Sequence, residues 1–184
     1  MDRRRFLQGV TATLSMAALA RMRAFATAPA DTRKAATGRA GLTPAQWQVI
    51  AAVQAHLLPS EPEAPGAKDA NALEYLMFML GETHTDPMER ALIRDGVERL
   101  ERIVRKQGVD TFTRLDAAGR ETALRTLEKQ PEGRTWIIML LDYLFEALLA
   151  DPVYGSNPGG IGWKWLEFHP GYRQPPPDKR FFLL

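Results

Sequence analysis

The sequence predicts an all-α fold: a small bundle of about five helices followed by a long irregular C-terminal segment rich in glycine, proline and aromatic residues. Three observations carry that expectation. No segment alternates apolar and polar residues with the period of two that a half-buried strand requires. Several segments instead repeat apolar residues at i, i+3 and i+4, bracketed by helix start and stop residues. Composition is the third: 45% hydrophobic and 25% charged over 184 residues supplies one domain with a substantial core.

The first helix starts at Thr43-Pro44-Ala45-Gln46. Thr43 is the N-cap, Pro44 sits where its missing N–H costs nothing, and Gln46 closes a capping box. Trp47, Ile50, Ala51, Leu57 and Leu58 form its apolar stripe, and Leu58-Pro59 ends it. After the proline-rich loop at 60–66, a second helix is expected from about Asp69 to Leu80, closed by Gly81. Asp86-Pro87-Met88-Glu89 repeats the capped start, and the third helix runs to Gln107 with Gly108 as its stop. Met88, Leu92, Ile93, Val97, Leu100, Ile103 and Val104 make one face of it. The other face reads as solvated, with acid-before-base pairs Asp95–Arg99, Glu98–Arg102 and Glu101–Arg105. A connector through Phe112 and Leu115 leads to Asp116 as the next cap and a helix to about Gln130. The run from Trp136 to Ala150 is apolar nearly all round, which predicts a central buried helix. It is too short, and too charged at Asp142 and Glu146, to span a bilayer.

The N-terminal region reads differently. Before Ala26 stand five arginines and one acid, so the formal charge of +2 becomes −2 once they are set aside, 19 basic against 21 acidic residues. A slightly acidic body has no electrostatic footprint for a nucleic-acid backbone. Leu7 to Ala20 is apolar, uncharged and rich in small residues, and Ala24-Phe25-Ala26 and Ala26-Thr27-Ala28 both offer a small-x-small cleavage pattern. Asp2-Arg3-Arg4-Arg5-Phe6-Leu7-Gln8 looks like a twin-arginine export motif, with Arg3, Arg4, Phe6 and Leu7 as its matching residues and Asp2 and Gln8 departing at the flanks. The expected organisation is a twin-arginine signal peptide over 1–28, a linker over 29–41 and a helical domain over 42–184. The expected location is the periplasm, reached in the folded state through the twin-arginine translocase.

The absence of cysteine excludes disulfides, thiolate zinc sites, iron–sulfur clusters, covalent haem and a cysteine nucleophile. The chain carries no G-x-G-x-x-G after a strand, no P-loop and no H-E-x-x-H, and its three histidines, His56, His84 and His169, are far apart in sequence. No cofactor bound by this chain is expected. An exported folded protein of that kind is most simply the escort of a cofactor-bearing partner.

From Asp151 the character changes to DPVYGSNPGGIGWKWLEFHPGYRQPPP. This is a loop held by large rings, with glycines where the backbone needs positive φ or close approach. Asp151-Pro152-Val153-Tyr154-Gly155-Ser156-Asn157, Gly160-Ile161-Gly162-Trp163-Lys164 and Pro170-Gly171-Tyr172 resemble the D-P-x-Y-G-G-N…GW…PGY signature of the gluconate 2-dehydrogenase subunit 3 family. The resemblance extends to the Leu42-Thr43 helix start, Leu57-Leu58-Pro59, Pro65-Gly66-Ala67 and the leader; Ser156 stands where the family usually has its second glycine. It implies a small non-catalytic subunit of a periplasmic dehydrogenase complex. In such complexes a large flavoprotein of the glucose-methanol-choline type oxidises a sugar acid, sugar or alcohol on FAD, and a multihaem cytochrome c passes the electrons to membrane quinone. The small subunit would supply the export signal and stabilise the flavoprotein.

No catalytic, cofactor-binding or metal-ligating residue is expected. Asp142 and Glu146 lie one turn apart as a metal or acid–base pair would, but the matching Glu-x-x-His motifs are missing. His169 lacks a recognisable nucleophile motif nearby, and Gly155, Gly159, Gly160 and Gly162 do not open a helix after a strand as a phosphate cradle would. Tyr154, Asn157, Trp163, Trp165 and Tyr172 either form a partner surface or roof the helical core. The competing reading is a stand-alone periplasmic ligand-binding protein or enzyme, which predicts a closed polar pocket and every aromatic tucked in.

Overall fold

Thr43 starts the first helix with both halves of its capping box in place. In the computed structural model, which describes residues 41–81 and 85–169, its hydroxyl accepts from the Gln46 amide at 3.3 Å and its own amide donates to Gln46 Oε1 at 2.8 Å. The elements are α1 (Pro44–Leu57), α2 (Ala72–Gly81), α3 (Pro87–Lys106), α4 (Ala117–Glu128), α5 (Pro131–Leu149) and a short α6 (Ile161–Trp165). One-turn 3-10 helices lie at Phe112–Arg114, Pro152–Tyr154 and Pro158–Gly160. There is no strand among the described residues, and the fold is all-α as the periodicity predicts. The export motif Arg3, Arg4, Phe6 and Leu7, the linker up to residue 40, His84 and Tyr172 fall outside the described residues.

Two helix starts differ from the sequence expectation. The second helix begins at Ala72 rather than Asp69, because the Asp69 carboxylate instead accepts from the Gly66 amide at 2.7 Å and from the Ser60 hydroxyl, pinning the preceding loop. The chain then turns through Asn71 at φ +54. The fifth helix begins at Pro131 rather than Trp136, one turn and a half earlier than the apolar run suggests. Its first turn is polar and exposed, so periodicity alone does not register it, whereas proline at the first helical position does.

Helix α5 is the axis of the bundle and packs against α1, α2, α3 and α4. Trp136, Leu140, Tyr143, Leu144, Ala147 and Leu148 point inward, all buried. Gly96 on α3 makes room for Trp136: a Cβ there would lie 2.1 Å from the indole, whose Nε1 donates to the Ile93 carbonyl at 3.0 Å. The buried polar atoms of this region hold one another. Tyr75 donates to Glu146 Oε2 at 3.2 Å, Tyr143 donates to Glu89 Oε1 at 2.7 Å, and the two rings meet edge to face at 6.5 Å. No helix is long and apolar enough to cross a membrane among the described residues.

On α3 the apolar face forms as expected except at its start, where Met88 in the first turn is 78% exposed. The expected charge pairs close only once, Arg105 to Glu101 at 3.9 Å. Asp95 is taken by its neighbour Arg94 at 3.4 Å, and Arg102 Nε donates to the backbone carbonyl of Glu98 at 3.4 Å. Side chains of this length on an exposed face lose entropy when fixed in one geometry, and the gain per pair is a few tenths of a kcal/mol, about 0.2–0.5.

Candidate interaction surface

A helix leaves its last carbonyls without intrahelical donors, and α5 ends inside the molecule, where water cannot supply them. The segment from Ala150 to His169 supplies them. Asn157 Nδ2 donates to the Ala150 carbonyl at 2.9 Å, and Trp163 Nε1 donates to the Leu149 carbonyl at 2.8 Å. The other face of the Asn157 amide, Oδ1, accepts from the Gly162 amide at 2.7 Å, and the Asn157 backbone N–H donates to Ala70 at 3.1 Å. Asn157 therefore ties α2's approach, the end of α5 and the start of α6 into one knot. It is fully buried at φ +48, a conformation that asparagine tolerates better than most residues. Asn71 Nδ2 adds a bond to the Gly155 carbonyl at 3.3 Å.

Glycine is required at 162 by proximity. A Cβ there would lie 2.0 Å from the Leu148 carbonyl oxygen, so α6 rides directly on the α5 backbone. Ser156 is buried with its Oγ making no hydrogen bond among the described residues. Its side chain thus brings a hydroxyl that the described fold does not satisfy.

Of the residues the sequence singles out, Asn157 faces inward, while Tyr154, Trp163 and Trp165 are half-buried. Trp163 meets Phe168 edge to face at 6.2 Å, and Phe168 is 56% exposed. Trp165, with Lys164, forms one wall of an open groove of about 520 Å3 whose other wall is the 60–65 loop. Hydrogen bonds from Ser60, first, and from the Gly66 amide hold the Asp69 carboxyl at the foot of that groove below the ordinary aspartate range.

Sequence reasoning missed the outward face of α5. Ile138 is 51% exposed, and Phe145 and Leu149 on the same side are only half-buried. Asp142 lies on this side between Ile138 and Phe145, and at its end Trp163, paired with Phe168, is bonded to the Leu149 carbonyl. A signal was present: a helix apolar all round needs cover all round, and the bundle covers only the inner side of this one.

The remaining polar candidates have structural partners. Glu146 is buried beneath the Tyr75 hydroxyl, and Asp142 is exposed on the outer side of α5. His169 is exposed, its Nδ1 lying 3.2 Å from the Glu167 carbonyl. His56 at the end of α1 meets Glu121 of α4 at 2.9 Å, and that bond, together with Arg125, holds the Glu121 carboxyl below its usual range. No group of three or more metal-ligating side chains gathers among the described residues.

Fold and surface together define a small all-α protein whose central helix is capped by a glycine- and aromatic-rich segment and left partly uncovered along its outer side. The chain belongs to the gluconate 2-dehydrogenase subunit 3 family, whose model matches residues 44–171, from the first turn of α1 past the end of the cap. The family's name makes it a subunit of a multi-subunit gluconate dehydrogenase. No curated protein and no solved structure matches the chain.

Proposed function

We propose that this chain is the small, non-catalytic subunit of a periplasmic FAD-dependent dehydrogenase complex acting on a sugar acid, sugar or alcohol. It supplies the twin-arginine export signal and stabilises the large flavoprotein subunit; FAD belongs to that subunit and haem c to a cytochrome partner. The observation that carries this reading is the outward side of α5, where the exposed Ile138 and the half-buried Phe145 and Leu149 flank Asp142, together with the exposed Phe168 beside Trp163 at the end of that helix. Apolar side chains left uncovered on the central helix cost solubility in an isolated protein and gain free energy once a second subunit covers them. The family assignment supports the same reading, since it describes a subunit.

The test is co-expression with the large flavoprotein subunit, followed by pull-down from the periplasmic fraction. Wild-type chain is expected to bring down a yellow flavoprotein. Replacing Arg3 and Arg4 by lysine should abolish its periplasmic appearance. Ile138→Asp, at an exposed position where the fold should lose no more than about 0.5 kcal/mol, should leave the chain exported and helical but colourless. A chain that always arrives alone overturns the proposal.

A further inference from the structure

The end of the bundle opposite the α5 cap carries a second surface that the subunit role does not use. Residues 41–169 contain 13 basic and 19 acidic side chains, so the body as a whole repels anions. Yet Arg99, Arg102, Arg105 and Lys106 of α3 converge on one depression of about 230 Å3, completed by Ile103 and by Gln130 at the start of α5. Nearly a third of the body's cations therefore line a single concavity.

Their charge is only partly neutralised where they stand. Arg99 and Lys106 make no ion pair among the described residues, and Arg102 reaches only the Glu98 carbonyl. Arg105 has Glu101 Oε2 at 3.9 Å, beyond hydrogen-bond length, while Glu101 Oε1 accepts from the Thr111 hydroxyl and the Phe112 amide, both at 3.0 Å, which holds that carboxylate toward the 111–112 turn. Of the carboxylates near in sequence, Asp95 is taken by Arg94 and Glu128 by Arg125, and the exposed Glu98, which pairs with none of the four among the described residues, leaves the stretch from 98 to 106 with four cations against two acids. Gln130 makes no side-chain cap bond to α5 and offers a neutral donor at the rim. Guanidinium forks present paired N–H donors that match the oxygens of a phosphate, and an ammonium adds a point charge.

We infer that this depression binds a phosphate-bearing anion, with Arg99 and Arg102 as its main donors and Arg105, Lys106 and Gln130 closing around it. The same phosphate chemistry occurs in free phosphate esters and in the headgroups of anionic phospholipids, and the volume admits either.

The full chain is titrated with inorganic phosphate and sn-glycerol 3-phosphate by calorimetry, and sedimented with phosphatidylglycerol or phosphatidylcholine vesicles at low and high salt. The variants are Arg99→Gln with Arg102→Gln and, as a charge-matched control, Arg94→Gln with Arg125→Gln. The basic leader is common to all of them, so its attraction to vesicles cancels in the comparison. The inference expects saturable binding to at least one probe that weakens by roughly tenfold in the Arg99/Arg102 variant, as loss of two charge-assisted bonds implies, and not in the control. Selective loss toward the soluble phosphates identifies a free ester; selective loss toward phosphatidylglycerol alone identifies a headgroup. Absence of binding to every probe, or an equal loss in both variants, overturns it.

Discussion

The helical body and the segment that caps α5 are held together in different ways. In the body, Leu76, Leu100, Leu140 and Leu144 are each completely buried, and their side chains make no directional bond. Their contribution is area removed from water, about 25 cal/mol per Å2, which any well-fitting apolar side chain supplies. In the cap, the fixing contacts are single and directional: one asparagine amide bonded on both sides, one indole N–H on a carbonyl, one glycine against a backbone oxygen. The aliphatic positions of the body should therefore yield gradually to substitution, while the cap fails at particular atoms.

Gly162→Ala should have the largest effect. Its Cβ would enter within 2.0 Å of the Leu148 oxygen, which belongs to the α5 backbone and has no room to retreat. A cost of about 3 kcal/mol is expected, at the upper end for overpacking. It should read as a lower thermal midpoint, with loss of the Trp163 fluorescence environment before the helical signal falls. Full wild-type stability in this variant would mean that α6 does not sit on α5 as described.

A matched pair of near-isosteric changes sharpens the contrast. Asn157→Asp keeps the shape but removes the donor to the Ala150 carbonyl and sets a carboxylate against it in a fully buried site. An unmade buried hydrogen bond of this kind costs about 2 kcal/mol. Leu140→Met, also fully buried, keeps volume and polarity and should cost less than about 1.5 kcal/mol. Urea midpoints of the two variants test the difference; if Leu140→Met is the more damaging, the body is the more exacting of the two regions.

The same division explains what was legible in the sequence. Helices α1, α3 and α4 were readable because caps and apolar spacing are local: Thr43, Asp86 and Asp116 each accept an amide of the following turn. The start of α2 falls later than the expected Asp69 because that carboxylate is used to hold the preceding loop. Two aspects of the candidate surface needed coordinates. Asn157 is an inward knot where its motif allowed either a partner surface or a roof over the core, since nothing in a loop sequence tells which way an amide turns. The outward side of α5 was hidden because an apolar run does not reveal which side its neighbours leave open. The α3 charge ladder misled for a related reason: i, i+4 spacing permits an ion pair without requiring one.

The smallest expected effect lies where the two regions meet, at the loop pinned by Asp69. Its folded-state pKa is lowered from 3.8, first by the Ser60 hydroxyl and then by the Gly66 amide, both of which bond the ionised form. A carboxyl lowered on folding releases its proton more readily in the native state. Its stabilisation is therefore fully present well above the unfolded value and is lost as pH falls through the lowered one. The difference in urea midpoint between wild type and Asp69→Ala should be constant from pH 8 to about pH 5 and shrink below about pH 4. Glu121, lowered by its bond to His56 and then by Arg125, titrates in the same direction in both proteins and cancels from that difference. A gap that persists unchanged at low pH would mean that Asp69 holds the loop by its shape rather than its charge, and that the groove beside Trp165 keeps its wall without the carboxylate.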